Sequence, residues 1–380
     1  MSITATQPLT EERIRQALSL VEDPEIHRPI TELDMVASIA IDAANHVSVG
    51  ILLTVAACPL RERIVRDIRE AVLEIPGTSS VTVEFGVMTD EQRTALRRRI
   101  RGGDEPVIPF AQPGSLTRVY CVVSGKGGVG KSSVTVNLAA AMAAGGLRVG
   151  ILDADIHGHS IPAMMGVDAR PTAVDRMLMP PAVHGIKVIS IGMFVEGNEP
   201  VVWRGPMLHR ALRQFLVDVY WGDLDVLLVD LPPGTGDIAI SLAQMLPTAD
   251  LLVVTTPQQT AARIAERAGA VAAQTKQRVA GVVENMSWFD GPDGSRQALF
   301  GSGGGALVSE QLTAILRVNC PLLGQIPFDP DVCAAGDQGI PMVITDPEST
   351  TAAAFRAIAT ALTDRPRGIA GMSLAVYPTG

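Results

Sequence analysis

The chain has 380 residues, 47% of them hydrophobic, and a formal net charge of −9. That length suggests two or three domains with ample material for buried cores, and the acidic balance argues against sequence-independent binding to nucleic acid. No apolar run approaches the roughly 18 residues of a membrane-spanning helix, the opening MSITATQPLTEER lacks a secretory pattern, and four scattered cysteines do not make a disulfide framework, so a cytoplasmic protein without membrane attachment is expected.

Residues 8–92 read as a small α+β domain. Ile14, Ala17, Leu18 and Val21 recur at helical spacing behind Thr10, a suitable N-cap. Val47, Val49, Ile51, Leu53 and Val55 alternate as in a half-buried strand. Leu60, Ile64, Ile68, Val72 and Ile75 mark a second helix after Pro59, and VTVEF (81–85) a further strand. Residues 93–116 hold the basic run RRRIR and then a stretch rich in Gly and Pro, and are expected to form a linker. From 117 to 364 the texture changes. RVYCVVS, RVGILD, VLLVD, DLLVVTT and VAGVVEN are short continuous apolar runs, each followed by a turn and a helical stretch. Continuous runs mean strands covered on both faces, hence a mainly parallel sheet flanked by helices in an α/β fold. Residues 365–380 carry too many Gly and Pro for a stable helix and read as a loose tail.

GKGGVGKS (125–132) joins the first of those runs to a helical stretch. Gly125, Gly127, Gly128 and Gly130 let the backbone turn tightly and aim its N–H groups, with those of Val129 and Ser133, at phosphate oxygens. Lys131 can reach the β- and γ-phosphates of ATP, and the Ser132 hydroxyl can bind Mg²⁺. Two further strands end in carboxylates, at Asp153 and Asp155 in LDADIHG and at Asp230 in LLVDLPPGTGD. Lys126 is less easily explained. The chain contains only four lysines (Lys126, Lys131, Lys187 and Lys276) against 27 arginines, yet two stand in this one loop. A solvated lysine is the plainer alternative.

KGGVGKS resembles the deviant Walker A group of P-loop ATPases, which includes Min, Par, nitrogenase-iron-protein and Mrp-type proteins. The resemblance implies that Lys126 reaches the nucleotide of a partner subunit in a homodimer, like an arginine finger, which in GTPases is worth roughly 10³–10⁵ in rate. It implies that Asp155 helps position the attacking water, that Asp230 contacts Mg²⁺ indirectly, and that Asn285, with Pro327 and Phe328, receives adenine. DADIHGHSIPAMMG, WRGPMLHRALRQFL (203–216), DLPPGTGD, VVENMS, FGSGGG (300–305) and LGQIPFD narrow the resemblance to Mrp-type (ApbC) iron–sulfur cluster carriers. Those proteins deliver clusters to apo iron–sulfur proteins. VEDPEIHRPITELDMV (21–36), with Asp23, Pro24 and Glu25, and TVAACPLRERI (54–64) resemble the SufT-like assembly domain fused ahead of such ATPases. Cys58 would be its reactive cysteine, at a helix N-terminus that favours thiolate.

One departure stands out. Such carriers hold a [4Fe–4S] cluster with a Cys-Pro-x-Cys pair after ENMS, and here Gly291 and Gly294 flank Pro292. Glycine supplies no thiolate. Cys58, Cys320 and Cys333 are the remaining candidates, and Cys320 with Cys333 would give a dimer four thiolates if a loop brought both to its interface. Cys121, mid-strand, is expected to be buried. Two alternatives stay open: a non-catalytic nucleotide switch, and a Min- or Par-like positioning ATPase, for which the chain offers no basic amphipathic C-terminal helix.

Overall fold

A computed structural model describes residues 8–364 except 25, 27, 55–60, 102–106, 113, 156–157, 175–176, 195–204, 235–236 and 259–270. The tail at 365–380, Glu25 and Cys58 therefore lie outside the described residues. The chain divides into two compact units, Met1–Pro106 with Thr172–Met179, and Val107–Pro171 with Pro180–Gly380.

The first unit contains α1 (Glu11–Leu18), β1 (Val36–Ile41), β2 (His46–Leu53), α2 (Arg61–Leu73), β3 (Ser80–Val87) and α3 (Asp90–Arg101). Thr10 caps α1 by accepting from the Arg13 N–H at 3.4 Å. The expected alternation of β2 is present, with Val47, Val49, Ile51 and Leu53 buried. β2 is central, antiparallel to β1 and parallel to β3. α1 packs on β1 and α2, and α2 on β3, with Ile14 and Leu18 of α1 and Ile64, Ile68 and Val72 of α2 all buried. β1 escapes the sequence reading because VASIAI is short and mostly exposed.

The linker is shorter than composition suggests. Its basic run belongs to α3, where Leu96 is buried and Arg99 donates to the Glu32 carbonyl at 2.8 Å and pairs with Asp34 at 2.6 Å. RRRIR reads as a charge run unless the buried Leu96 just before it is weighed. On the other side of the break, Phe110 is buried edge-on to Trp221, 6.2 Å between ring centroids, in a short 3₁₀ turn of the second unit, Pro109–Ala111.

The second unit is built on an eight-stranded sheet. In chain order its region holds β4 (Arg118–Val123), α4 (Lys131–Ala144), β5 (Val149–Asp153), α5 (Ile161–Met164), the hairpin β6 (Thr172–Val174) and β7 (Met177–Met179), which groups with the first unit, β8 (Ala182–Val183) and β9 (Ile186–Ser190). There follow α6 (Gly205–Asp218), β10 (Val226–Asp230), α7 (Asp237–Met245), β11 (Asp250–Thr255), β12 (Val279–Glu284), the hairpin β13 (Phe289–Asp290) and β14 (Arg296–Gln297), α8 (Gly304–Leu316), β15 (Leu322–Gln325), α9 (Pro330–Asp337), α10 (Met342–Thr345) and α11 (Thr350–Thr363). The sheet order is β15-β12-β11-β4-β10-β5-β9-β8, parallel throughout except for the β8–β9 edge.

β4 therefore lies between β11 and β10, and the loops after β4, β5, β10, β11 and β12 all emerge at one carboxyl edge. That edge is where open parallel sheets place ligands. α4 behind it is buried almost all round, from Val134 to Met142, as a helix sandwiched between sheet and helix must be. Its alanines let α11 approach, and Asn137 ties the layer by donating to the Ser133 carbonyl at 2.9 Å and accepting from the Val343 N–H at 3.2 Å. No helix among the described residues is long and apolar enough to cross a membrane.

If α3 belongs to the first unit's core, Leu96→Ala should lower its unfolding free energy by about 2–4 kcal/mol, the usual cost of emptying a buried leucine site. Chemical denaturation checks this, and a linker residue would show almost no change.

Candidate functional site

β4 ends at Val123 and α4 begins at Lys131, as the sequence suggests. Between them the backbone turns twice through the left-handed region, at Gly128 (φ 77°) and Gly130 (φ 76°). Gly130 is required twice over. A side chain would be strained at that φ, and its Cβ would lie 2.3 Å from the Asn285 amide nitrogen.

The loop's functional side chains converge on one carboxylate. Asp230, at the last rung of β10, is fully buried. Its Oδ2 accepts from Lys131 Nζ at 2.6 Å and from Ser132 Oγ at 2.6 Å, and its Oδ1 accepts from Thr135 Oγ1 at 2.8 Å. Thr135 also bonds the Lys131 carbonyl one turn back, at 3.0 Å. A buried carboxylate with a close cation and two hydroxyls is a satisfied charge; removing one partner from such a group typically costs about 3–5 kcal/mol. The sequence reading names Lys131, Ser132 and Asp230 but misses Thr135. The signal was a hydroxyl residue at i+4 from the loop lysine, on the face of α4 that looks at β10.

The same rung continues sideways. Asp230 is in register with Asp153 of β5, and Asp153 with Ser190 of β9, so three polar residues lie in a row across the sheet. Burial, and then the Asp230 charge, push the Asp153 carboxyl up to about 7, against which Ser190 donates to Oδ2 at 2.9 Å. Asp153 Oδ1 accepts from the Asp155 N–H at 3.1 Å, and Asp155 in turn accepts from the Gly158 N–H at 3.2 Å. Asp153 thus anchors the turn that carries Asp155, which is nearly buried at this same edge. Just after Asp230, Gly234 N–H donates to the Ser124 carbonyl at 2.8 Å and Pro233 stands against Gly127. Thr235 and Gly236 lie outside the described residues.

Lys126 takes no part in the Asp230 cluster. Its ammonium donates to Oε1 of Gln258, three residues beyond the end of β11. Asn285 is placed beside the loop, but its amide nitrogen donates to the Val129 carbonyl at 2.9 Å. It braces the phosphate loop directly. Phe328 stacks within an aromatic group, 6.4 Å from Phe289 and 5.7 Å from Phe300. Pro327 is buried in the strand-like segment that runs beside residues 284–288, where Ser287 N–H reaches the Ile326 carbonyl and Phe328 N–H the Trp288 carbonyl.

Among the described residues the cysteines form no cluster with other metal-ligating side chains. Cys320, expected as a possible ligand with Cys333, is fully buried at the start of the β15 segment, its thiol donating to the Val318 carbonyl at 3.5 Å, and burial pushes its pKa up. Cys333 follows β15 and is exposed on α9. With Cys320 sealed in the core and Cys333 on the surface of α9, a site using both would need Cys320 uncovered. Cys121 is buried in β4, with its thiol pushed up to about 12 by desolvation and then by Asp250. The segment of Gly291 and Gly294 is a closed hairpin turn. Asp293 Oδ1 accepts from Ser295 N–H at 3.0 Å and from its hydroxyl at 2.6 Å, holding that carboxyl below its ordinary range. A Cβ at Gly291 would lie 2.8 Å from Asp293 Oδ1. No group of three or more His, Cys, Asp or Glu able to hold a metal ion occurs among the described residues.

A glycine loop between the central parallel strand and a buried helix, with its lysine and serine gathered on a strand-end aspartate, defines a P-loop nucleotide-binding protein. Residues 115–363 match the family model described as NUBPL iron-transfer P-loop NTPase, and residues 11–85 the model described as iron–sulfur cluster assembly protein. The chain belongs to the NUBPL-type iron-transfer P-loop NTPase family and carries the assembly domain ahead of it. A Mycobacterium tuberculosis protein called iron–sulfur cluster carrier protein is 62% identical over 367 residues, 96% of each chain. A Synechocystis protein of the same name is 41% identical over 358 residues, 92% of this chain and 96% of that one. A nucleotide-binding protein from Archaeoglobus fulgidus, solved in complex with ADP, is 37% identical with a TM-score of 0.51, covering 60% of this chain and 92% of that one.

The thiol environments predict a labelling order. In the native protein at pH 8, iodoacetamide should modify Cys333 and spare Cys121 and Cys320, because alkylation needs thiolate and access. Peptide mapping before and after unfolding reads this out; native labelling of Cys320 at the rate of Cys333 would contradict its placement.

Proposed function

We propose that this chain is a cytoplasmic ATPase that works as a nucleotide-dependent homodimer, binding iron–sulfur clusters and passing them to apo iron–sulfur proteins or assembly factors. The observation that carries the reading is the separation of the two loop lysines. Lys131 is committed to Asp230 in its own subunit, while Lys126, a few residues away, is held outside that cluster. A lysine with no role at its own Mg²⁺ end is free to serve another nucleotide. The family match and the ADP bound by the Archaeoglobus relative support an adenine nucleotide as ligand.

In this reading the N–H groups of residues 125–133 cradle the phosphates, and Lys131 turns from Asp230 to the β- and γ-oxygens. Ser132 would hold Mg²⁺ directly and Asp230 through a water; the ion, when bound, neutralises phosphate charge. Asp155 orients the attacking water, and the partner subunit's Lys126 meets the charge that develops on the transferred phosphoryl group. Asn285 fixes the loop from behind and, with Pro327, borders the base. The Asp230 cluster supports Mg-nucleotide binding, which a switch would share; Asp155, buried at the same edge, supports a working ATPase.

The cluster is cargo. With Cys320 and Cys121 sealed and the hairpin at 291–295 closed by its own hydrogen bonds, Cys58 and Cys333 are the thiols left to meet it. Anaerobic reconstitution of the full chain with iron and sulfide should give bound cluster that is lost or sharply reduced in Cys58→Ser. Unchanged iron per subunit in Cys58→Ser/Cys333→Ser would contradict the assignment.

For the nucleotide, Lys131→Ala should abolish binding and also destabilise the fold, since it strands Asp230. Lys126→Ala should bind ATP normally yet lose most hydrolysis. Asp155→Ala should bind ATP, turn over slowly and accumulate as dimer. Equilibrium binding beside steady-state phosphate release separates the three, and hydrolysis at the wild-type rate in Lys126→Ala would sink the dimeric mechanism.

A further inference from the structure

The backbone that leads into Gln258 is fastened to a neighbouring helix. The N–H of Gly304, at the start of α8, donates to the carbonyl of Pro257 at 3.1 Å. The two segments touch so closely that a Cβ at Gly304 would lie 2.4 Å from the Thr256 carbonyl oxygen and 2.6 Å from the Pro257 carbonyl carbon. Glu284, buried at the end of β12, locks the same helix start. It accepts from the Gly305 N–H at 2.5 Å through one oxygen and from Gln325 Nε2 at 2.6 Å through the other. The α8 N-terminus is thus fastened to two strand ends, and Gly304 and Gly305 of the FGSGGG stretch leave no room for a side chain there. Residues 256–258 form one wall of it. The side chain projecting from this clamped wall is Gln258, and it accepts from Lys126 Nζ.

We propose that Gln258 is a positioning residue for Lys126: it holds the ammonium within its own subunit and releases it only to the phosphates of a second subunit, so setting the threshold for productive dimer formation. The proposal rests on the reading that Lys126 acts in trans. The chemistry of the acceptor suits such a hand-over. A neutral amide oxygen holds an ammonium group well enough to fix its direction, but a polyanionic phosphate is the stronger acceptor. A carboxylate at the same place would keep the lysine. Because the wall that carries Gln258 is clamped by Gly304 and Glu284, the amide stays put when the lysine leaves, and it can take the lysine back once the phosphate has gone.

The test compares wild type, Gln258→Ala, Gln258→Glu, Lys126→Ala and the Lys126→Ala/Gln258→Ala pair as full chains. Hydrolysis per subunit is followed against protein concentration at saturating Mg-ATP, and self-association is followed by sedimentation with a non-hydrolysable ATP analogue. Losing the latch should lower the half-maximal concentration of Gln258→Ala about tenfold, and an ion pair in its place should raise that of Gln258→Glu by about as much, the scale of one charge-assisted hydrogen bond. Opposite shifts from two changes at one position are not what a merely loosened loop gives. The double variant should match Lys126→Ala. Coincident curves for wild type, Gln258→Ala and Gln258→Glu, or shifts of the same sign, beside an inactive Lys126→Ala, would overturn the latch and leave the trans role standing. Wild-type hydrolysis by Lys126→Ala would overturn both.

Discussion

A single buried carboxylate organises the nucleotide end of this protein. Asp230 sits at the last rung of a central strand with no exposure to solvent, and it is satisfied by an ammonium and two hydroxyls from α4. An ionised group in that position is tolerable only when fully partnered. This requirement fixes the angle at which α4 leaves the sheet, and hence the path of the glycine loop between β4 and α4. Asn285 then presses on the loop from the β12 side, close enough that residue 130 must be glycine. The loop is thereby set by contacts from β10 and from the end of β12 before any phosphate arrives.

The sheet order turns local features into one site. β10, β5 and β9 are neighbours, so Asp230, Asp153 and Ser190 fall in line on one rung, and the turn carrying Asp155 is tied to that line. On the other side of β4, the end of β11 presents Gln258 to Lys126, and the start of α8 holds that end in place. The two lysines therefore belong to different halves of the edge. One faces Asp230, and the other is held by Gln258. The same division bears on the lysine usage of the chain: 27 arginines against four lysines, two of which stand in this one loop as compact, flexible point charges.

Much of this was legible in the sequence because it depends on short-range signals. Continuous apolar runs gave the parallel strands, and the motif gave the loop, its lysine, its serine and the strand-end aspartates. What escaped depends on contacts between distant segments. Thr135 and Gln258 look like an ordinary helix threonine and an ordinary loop glutamine until β10 and the loop lysine are set beside them. For Asn285 the sequence shows a place after a strand and a resemblance that implies adenine; it does not show the hydrogen bond that reaches back 156 residues to Val129. Cys320 and Cys333 were paired by nearness along the chain, and the intervening strand β15 places one inside the core and the other on the surface. The arginines of α3 hid a buried leucine, so a helix was taken for a linker.

The division of the two lysines between subunits is tested most directly by mixing two inactive proteins. Lys131→Ala cannot bind its own nucleotide but keeps Lys126; Lys126→Ala binds nucleotide but lacks the lysine a partner would need. If Lys126 serves the neighbour, each mixed dimer regains one working site. With random exchange, hydrolysis per subunit should then return to about a quarter of the wild-type rate, since half the dimers are mixed and each has one of two sites. A mixture that stays as inactive as its two components, although sedimentation with a non-hydrolysable ATP analogue shows both folded and joined in mixed dimers, would contradict the division and return Lys126 to its own subunit.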